Sequence, residues 1–148
     1  MKVFRNGRLI RYFLVIFSLF FLKGALSYAQ GKVCFHEKCV EVEIATTPEE
    51  LTQGLQKRVS LAEHGGMLFT FPESGVYRFW MKDTLFALDM VWLDENKKVI
   101  YIEKNVLPCE GQSWCPVYGP NKEARHVLEV SAGLSKEFNI QIDDQAEF

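Results

Sequence analysis

The stretch LFALDMVWLD, residues 85–94, is the candidate strand that decides the fold. Apolar residues occupy both its even-numbered and its odd-numbered positions, so a strand here would be apolar on both faces. A strand of that kind is expected at the centre of a sheet that is covered on both sides. Asp89 is the one charged residue inside it, because Asp94 falls at its end. The sequence therefore predicts a central strand that carries a buried carboxyl group.

The segments before this strand predict a hairpin and a short helix. Residues 33–45 have a two-residue turn, His36-Glu37, which places Cys34 opposite Cys39. Thr47-Pro48-Glu49-Glu50 is typical of a helix start, with Thr47 as N-cap and Glu50 completing a capping box. Further strands are predicted at residues 67–71 (stopped by Pro72), 76–81, 98–107, 124–130 and 140–148, with a second short helix at 131–138. We therefore predict a mainly β fold with two short helices, an antiparallel β-sandwich or barrel.

The first 29 residues have the three parts of a signal peptide. Four basic residues precede an apolar run from Tyr12 to Leu22, and small residues stand at Ser27 and Ala29. The alternative is a membrane anchor, but a span needs about 20 apolar residues, and the run has 11. We predict a signal peptide at 1–29, one domain at 30–148, and a periplasmic or extracellular location.

The charge of residues 30–148 disfavours two classes of partner. The leader holds five of the 17 basic residues and none of the 19 acidic ones, which leaves the remainder with a net charge of about −7. No basic cluster stands out in it. Nucleic acid and, after signal cleavage, membrane surfaces are therefore not expected as partners.

The four cysteines form two close pairs, Cys34 with Cys39 and Cys109 with Cys115. In an oxidising compartment such pairs predict disulfides. The alternative, a metal site, is disfavoured because the intervening four and five residues are more than a zinc knuckle uses. Four cysteines allow three connectivities, and pairing of sequence neighbours is the simplest.

An ordered set of motifs resembles the domain of unknown function 192 family. They are Gly54-Leu55, Arg58, Leu61, Gly66-Met67-Leu68-Phe69, Phe79-Trp80-Met81-Lys82-Asp83-Thr84, Leu88-Asp89, Pro108-Cys109, Cys115-Pro116, Tyr118, Val127-Leu128-Glu129 and Ala132-Gly133. The resemblance runs from about Val40 to the end of the chain and implies a compact β-sandwich or barrel related to jelly-roll folds, often exported. It implies no activity. The family more usually has Asn where this chain has Asp83.

A set of polar residues among the apolar segments could form a site: Arg58, Trp80, Lys82, Asp83, Thr84, Asp89 and Glu129. Asp89 and Arg58 are each placed on a surface expected to be buried, where a lone charge is unfavourable. One interpretation is a structural link in which Arg58 meets Asp89, with Glu129 as the likeliest third member. The other is a binding site.

Lys82-Asp83-Thr84 favours a turn in the first place. The alternative is a polar rim beside Trp80 for an anionic or sugar-like ligand. The three histidines have no metal-ligand spacing, and we find no nucleophile elbow or phosphate loop. We therefore expect no metal and no cofactor.

Three functional hypotheses remain from the sequence. The leading one is a non-catalytic module that binds a small polar ligand or an envelope protein through the face with Trp80, Lys82, Asp83 and Asp89. The second is a small periplasmic enzyme in which Asp83 or Asp89 is the general base beside Lys82. The third is a structural accessory of an envelope assembly.

Overall fold

The computed structural model describes residues 27–109 and 114–148. Strands and helices are numbered along the chain. They are β1 Ala29–Phe35, β2 Lys38–Ala45, α1 Pro48–Gln53, β3 Gly65–Gly75, β4 Phe79–Trp80, β5 Leu88–Leu93, β6 Val99–Val106, β7 Val117–Tyr118, β8 Ala124–Ser131, α2 Leu134–Glu137 and β9 Ala146–Glu147.

Seven of these strands form one curled sheet in the order β6-β5-β8-β3-β2-β1-β9, while β4 and β7 form a separate pair. The prediction of a mainly β fold with two short helices is confirmed. The sheet is a mixed half-barrel and not purely antiparallel, because β2 and β3 run parallel. Helix α1 lies between these two strands in the chain and provides the crossover that a parallel pair requires.

The sheet is buried on both faces, and two clusters of apolar side chains form the core. One cluster includes Val91, Leu128, Leu134 and Phe138, so it lies on the side of α2. The other, which we call the pocket-side core, includes Leu55, Met67, Phe69, Met90 and Trp92. Every residue of β5 is buried between β6 and β8, as predicted for a central strand, but β5 is shorter than the predicted 85–94 and Leu85 is exposed.

Local sequence signals account for the start of the chain's fold. In the β1–β2 hairpin, Cys34 pairs with Cys39 across a turn at residues 36–37. Helix α1 has the predicted capping box, in which the Glu50 amide donates to Thr47 Oγ1 and the Glu50 carboxylate accepts from the Thr47 amide. These contacts fix where α1 begins.

Several predicted boundaries were wrong. Strand β3 continues through Pro72, because the β3–β8 register shifts between Thr70 and Gly75 and the proline needs no regular ladder bond there. The predicted strand 76–81 shrinks to β4, the helix 131–138 to α2, and the strand 140–148 to β9. A turn at residues 142–143 interrupts that last segment.

Disulfides join Cys34 to Cys39 and Cys109 to Cys115. They are consistent with an oxidising compartment, while export itself stays a prediction. Of the predicted signal peptide, residues 1–26 lie outside the described residues. Within residues 27–109 and 114–148, no helix has the length and apolar character needed to cross a membrane.

Candidate functional site

A pocket of about 160 Å³ opens on the pocket-side face of the sheet. Its walls come from α1 with the turn that follows, from β3, from the segment leading into β4, and from the loop after β4. Its lining comprises residues 51–56, Phe69, Phe71, residues 77–80, Thr84 and Glu129. The pocket thus lies where the parallel crossover, the central sheet and the β4 loop meet.

Glu129 is the only acidic residue among those that line the pocket. It lies on β8, in register with Met67 on β3 and Met90 on β5, and is only 4% exposed. No hydrogen bond or ion pair of its carboxyl group is found within the described part of the chain, where Tyr28 Oη is the one fully buried polar side-chain atom without a partner; Glu129 instead lines the open space of the pocket. Burial raises the pKa of this carboxyl from 4.5 to about 8. Glu129 is therefore largely protonated at neutral pH.

Aromatic side chains make up much of the wall. Phe71 stacks on Tyr77 with ring centroids 3.5 Å apart, and Phe79 meets Phe69 edge to face at 4.9 Å. Trp92, in the core beneath them, donates from Nε1 to the Tyr77 carbonyl at 3.0 Å. These contacts hold the segment before β4 in place, so that the aromatic wall is formed before any ligand arrives.

The opposite wall depends on how α1 ends. Gly54 closes the helix with φ of 47°, a conformation that favours glycine. A Cβ at Gly54 would also lie 3.1 Å from the Phe69 ring. The next turn is tied across the pocket edge, because the Lys57 amide donates to the Asp83 carbonyl at 2.7 Å. The helix end and the loop after β4 are therefore linked.

The structure brings three of the predicted site residues, Trp80, Thr84 and Glu129, to this pocket. Thr84 is buried, and its amide donates to the Met81 carbonyl at 3.2 Å. Lys82 stands beside the pocket, with Nζ 5.3 Å from the centroid of the Trp80 ring. Asp83 is an exposed turn residue with φ of 56°. Asp and Asn tolerate that conformation better than most residues, so the aspartate fits this turn.

The predicted cluster of Arg58, Asp89 and Glu129 was wrong. Arg58 forms a bidentate ion pair with Glu43 on β2, with Nη2 2.6 Å from Oε2. Its guanidinium also lies 5.3 Å from the Tyr28 ring. The alternation of β2 places Glu43 beside the end of the α1 turn, so Arg58 finds a carboxylate at a half-buried position without reaching the central strand.

The Asp89 carboxylate is stabilised by hydrogen bonds and not by an ion pair with Arg58. The side chain is 1% exposed, and Oδ1 accepts from the Asn105 amide at 2.8 Å. Oδ2 accepts from the Gly133 amide at 3.0 Å, the Ser135 amide at 3.1 Å and the Ser135 hydroxyl at 2.6 Å. Asp89 therefore joins β5 to the end of β6 and to the start of α2. Its oxygens are occupied and face away from the pocket, as expected from its place next to Met90 in the strand.

The second disulfide supports the segment that carries Trp80. The Cys109 amide lies 3.5 Å from the Met81 carbonyl, and Trp80 pairs with Val117 just beyond Cys115. The disulfide closes the chain between these two attachments. It therefore braces the loop that positions the outer aromatic wall.

The sequence analysis named Glu129 as a candidate, either as a member of a structural cluster or as a binding residue, and missed Phe71, Tyr77 and Phe79 as wall residues. A usable signal was present, because Glu129 is the single charged residue in the apolar run Val127-Leu128-Glu129-Val130. Within the described residues, no group of three or more His, Cys, Asp or Glu side chains is placed to hold a metal ion.

Two solved structures share the fold. One, at 29% identity and a TM-score of 0.77, is a protein of Sinorhizobium meliloti 1021 with the provisional name transcription regulator, and the match covers 84% of this chain and 97% of that one. The other, a protein of unknown function from Novosphingobium aromaticivorans DSM 12444, has 24% identity and a TM-score of 0.73, covering 84% and 94%. No curated protein matches significantly.

The model of the family DUF192, described as uncharacterized ACR, matches residues 31–148. This range contains the whole sheet beyond the first residues of β1, both helices and every residue that lines the pocket. The chain therefore belongs to the domain of unknown function 192 family.

Proposed function

We propose that this protein is a binding module whose pocket receives a small organic ligand over Glu129. The observation that carries the proposal is a buried carboxyl group without a partner in the described residues, at a pocket with aromatic walls. Ligand sites commonly combine apolar walls with a few polar groups that orient the ligand. Glu129 is the polar group that is most deeply placed here.

The size of the pocket limits the ligand. A cavity of roughly 150 Å³ can accommodate benzene, and this pocket measures about 160 Å³. A ligand, or the part of a ligand that enters, should therefore be no larger than one ring or a short branched chain. The rest of a larger molecule would extend past Trp80, which is 48% exposed.

The site supports a ligand better than it supports nucleic acid. The name transcription regulator is given to the Sinorhizobium meliloti protein and is not evidence that this chain binds DNA. For this chain, a net charge of about −7 over residues 30–148 opposes binding to phosphate backbones. A small molecule is therefore the ligand class that we propose.

A second candidate is an enzyme in which Glu129 transfers a proton. Burial brings the pKa of Glu129 to about 8, near the range in which a general acid or base works at neutral pH. Asp89 is poorly suited to that role because four donors already occupy its carboxylate. Asp83 is exposed and does not line the pocket. Lys82 does not line the pocket, so in such an enzyme it would act only at the pocket rim beside Trp80.

A thermal-shift screen of the purified protein against amines, alcohols, carboxylic acids, sugars and amino acids tests the proposal. A pocket ligand should raise the Tm of the wild type. It should have a smaller effect on Trp80→Ala, which removes part of the wall. Trp114→Ala is the matched control, because Trp114 is 69% exposed and does not line the pocket.

Two results would count against binding in the pocket: no compound shifts the Tm, or Trp80→Ala and the control respond alike. Turnover of a stabilising compound, lost in Glu129→Gln, would instead favour the enzyme. Saturable stabilisation without chemical change would favour the binding module.

A further inference from the structure

The charges around Glu129 are unevenly distributed. Among the pocket-lining residues, Glu129, Tyr77 and Arg78 are the ones with titratable groups. The residues contributed by α1, by β3 and by the loop after β4 are apolar, or carry neutral amide or hydroxyl groups. The Tyr77 hydroxyl donates to the Glu73 carbonyl at 2.7 Å. Arg78 is exposed and donates to the Gly119 carbonyl and to Asn121 Oδ1. The acidic floor is thus left without a counter-charge.

We propose that the ligand presents an ammonium group to Glu129. This inference rests on the proposed function and names the chemical class that the pocket selects. A buried carboxylate is strongly unfavourable alone and becomes favourable when a cation is placed beside it. The cation that the described residues do not provide would come from the ligand.

The aromatic wall supports the same class of ligand. Aromatic rings attract cations through the negative charge of their faces, and ammonium ligands are often bound by such rings. Trp80 already has this role toward Lys82, whose Nζ lies 5.3 Å from the ring centroid. Lys82 and Arg78 would repel a cation, but both are exposed, where solvent and salt weaken their effect. The attraction between a bound cation and Glu129 is screened least, because Glu129 is only 4% exposed.

The alternatives to an ammonium ligand predict a different pH dependence. A neutral ligand that accepts a hydrogen bond needs protonated Glu129, so its affinity should fall above about pH 8. An ammonium ligand needs ionised Glu129 and must displace a proton at neutral pH. Its affinity should rise about tenfold between pH 6 and pH 7 and level off above pH 8. An anion should be excluded at every pH.

Three probes of similar shape separate these cases: tetramethylammonium, tert-butanol and pivalate, which are cationic, neutral and anionic. Their affinities for the purified protein can be followed by NMR titration at constant ionic strength, with the Glu129 carboxyl carbon as reporter. We expect tetramethylammonium to bind most tightly, to lower the pKa of Glu129, and to show the predicted rise with pH. Glu129→Gln should weaken it at least tenfold at pH 8 and change tert-butanol by less than about twofold.

The outcomes distinguish the two proposals. If tert-butanol binds as tightly as the cation, or if Glu129→Gln leaves tetramethylammonium unaffected, the ammonium inference is wrong while binding in the pocket stands. If the Glu129 carbon responds to none of the probes and to no compound from the thermal-shift screen, both proposals fail. Neutral or anionic compounds as the only hits from that screen would also overturn the ammonium inference.

Discussion

Glu129→Gln should make the protein more stable at neutral pH, and the gain should depend on pH. The pKa of Glu129 is about 8 in the folded protein and 4.5 ordinarily. Between those values the unfolded chain releases the proton that the folded chain keeps. Each pH unit in this window therefore lowers the free energy of unfolding by about 1.4 kcal/mol. Stability from this group is fully present below pH 4.5 and is lost as the pH rises toward 8.

Glutamine has a similar shape and no ionisation, so it removes this dependence. The difference in unfolding free energy between variant and wild type should grow by about 3 kcal/mol from pH 4 to pH 7. Urea denaturation at pH 4, 5.5, 7 and 8.5 measures the difference directly. Glu123→Gln is the control, because Glu123 is exposed and lies outside the pocket. Its difference from the wild type should stay nearly constant.

A pH-independent effect of Glu129→Gln would refute the reasoning, and so would a variant that is less stable than the wild type at pH 7. Either result would mean that Glu129 is ionised and stabilised in the folded protein. The folded protein, or water in the pocket, would then already stabilise the carboxylate, and no ligand cation would be needed.

Four further predictions concern other groups. Asp89→Ala should lower the free energy of unfolding by at least about 3 kcal/mol, since four hydrogen-bond donors lose their acceptor. Urea denaturation measures this loss, and a smaller one would mean that water replaces the carboxylate. Arg58→Ala should lower the free energy of unfolding by only about 1 kcal/mol, because its ion pair with Glu43 is partly exposed. A double-mutant cycle with Glu43→Ala should give a coupling energy smaller than that of a buried ion pair. Asp83→Asn should change the Tm by little, because both residues accept the positive φ. N-terminal sequencing of the protein from its native host should begin at Gln30, and an intact Met1 would contradict the predicted signal peptide.

The parts of the fold that follow local rules could be predicted from the sequence. The hairpin register follows from a two-residue turn, and the start of α1 from Thr47 and Glu50. The central place of β5 follows from its apolar residues on both faces. The parallel β2–β3 pair could not be predicted in this way, because it depends on where the crossover packs and not on any short pattern.

In the candidate site, too, local sequence identifies some residues, while others depend on the arrangement of the strands. Trp80 and Thr84 could be nominated from their place in a distinctive motif, and the structure brings both to the pocket. The partner of Arg58 could not be chosen from the sequence, because Glu43 and Asp89 both lie in predicted strands. Only the order of strands in the sheet places Glu43 near the α1 turn and Asp89 two strands beyond β3, on the far side of β8.

Asp89 and Glu129 together show why one buried acid is structural and the other is a candidate for function. They lie on adjacent strands, where Asp89 pairs with Val130 and Glu129 with Met90, so their side chains point to opposite faces of the same sheet. Asp89 meets amides from the end of β6 and from the turn into α2, which satisfy its carboxylate completely. Glu129 lies between Met67 and Met90 in the sheet and lines a pocket with aromatic walls. A buried acid that served only the fold would be expected to have donors like those of Asp89. The absence of such donors among the described residues around Glu129, which lines the pocket, is the reason we propose that a ligand binds at that carboxyl group.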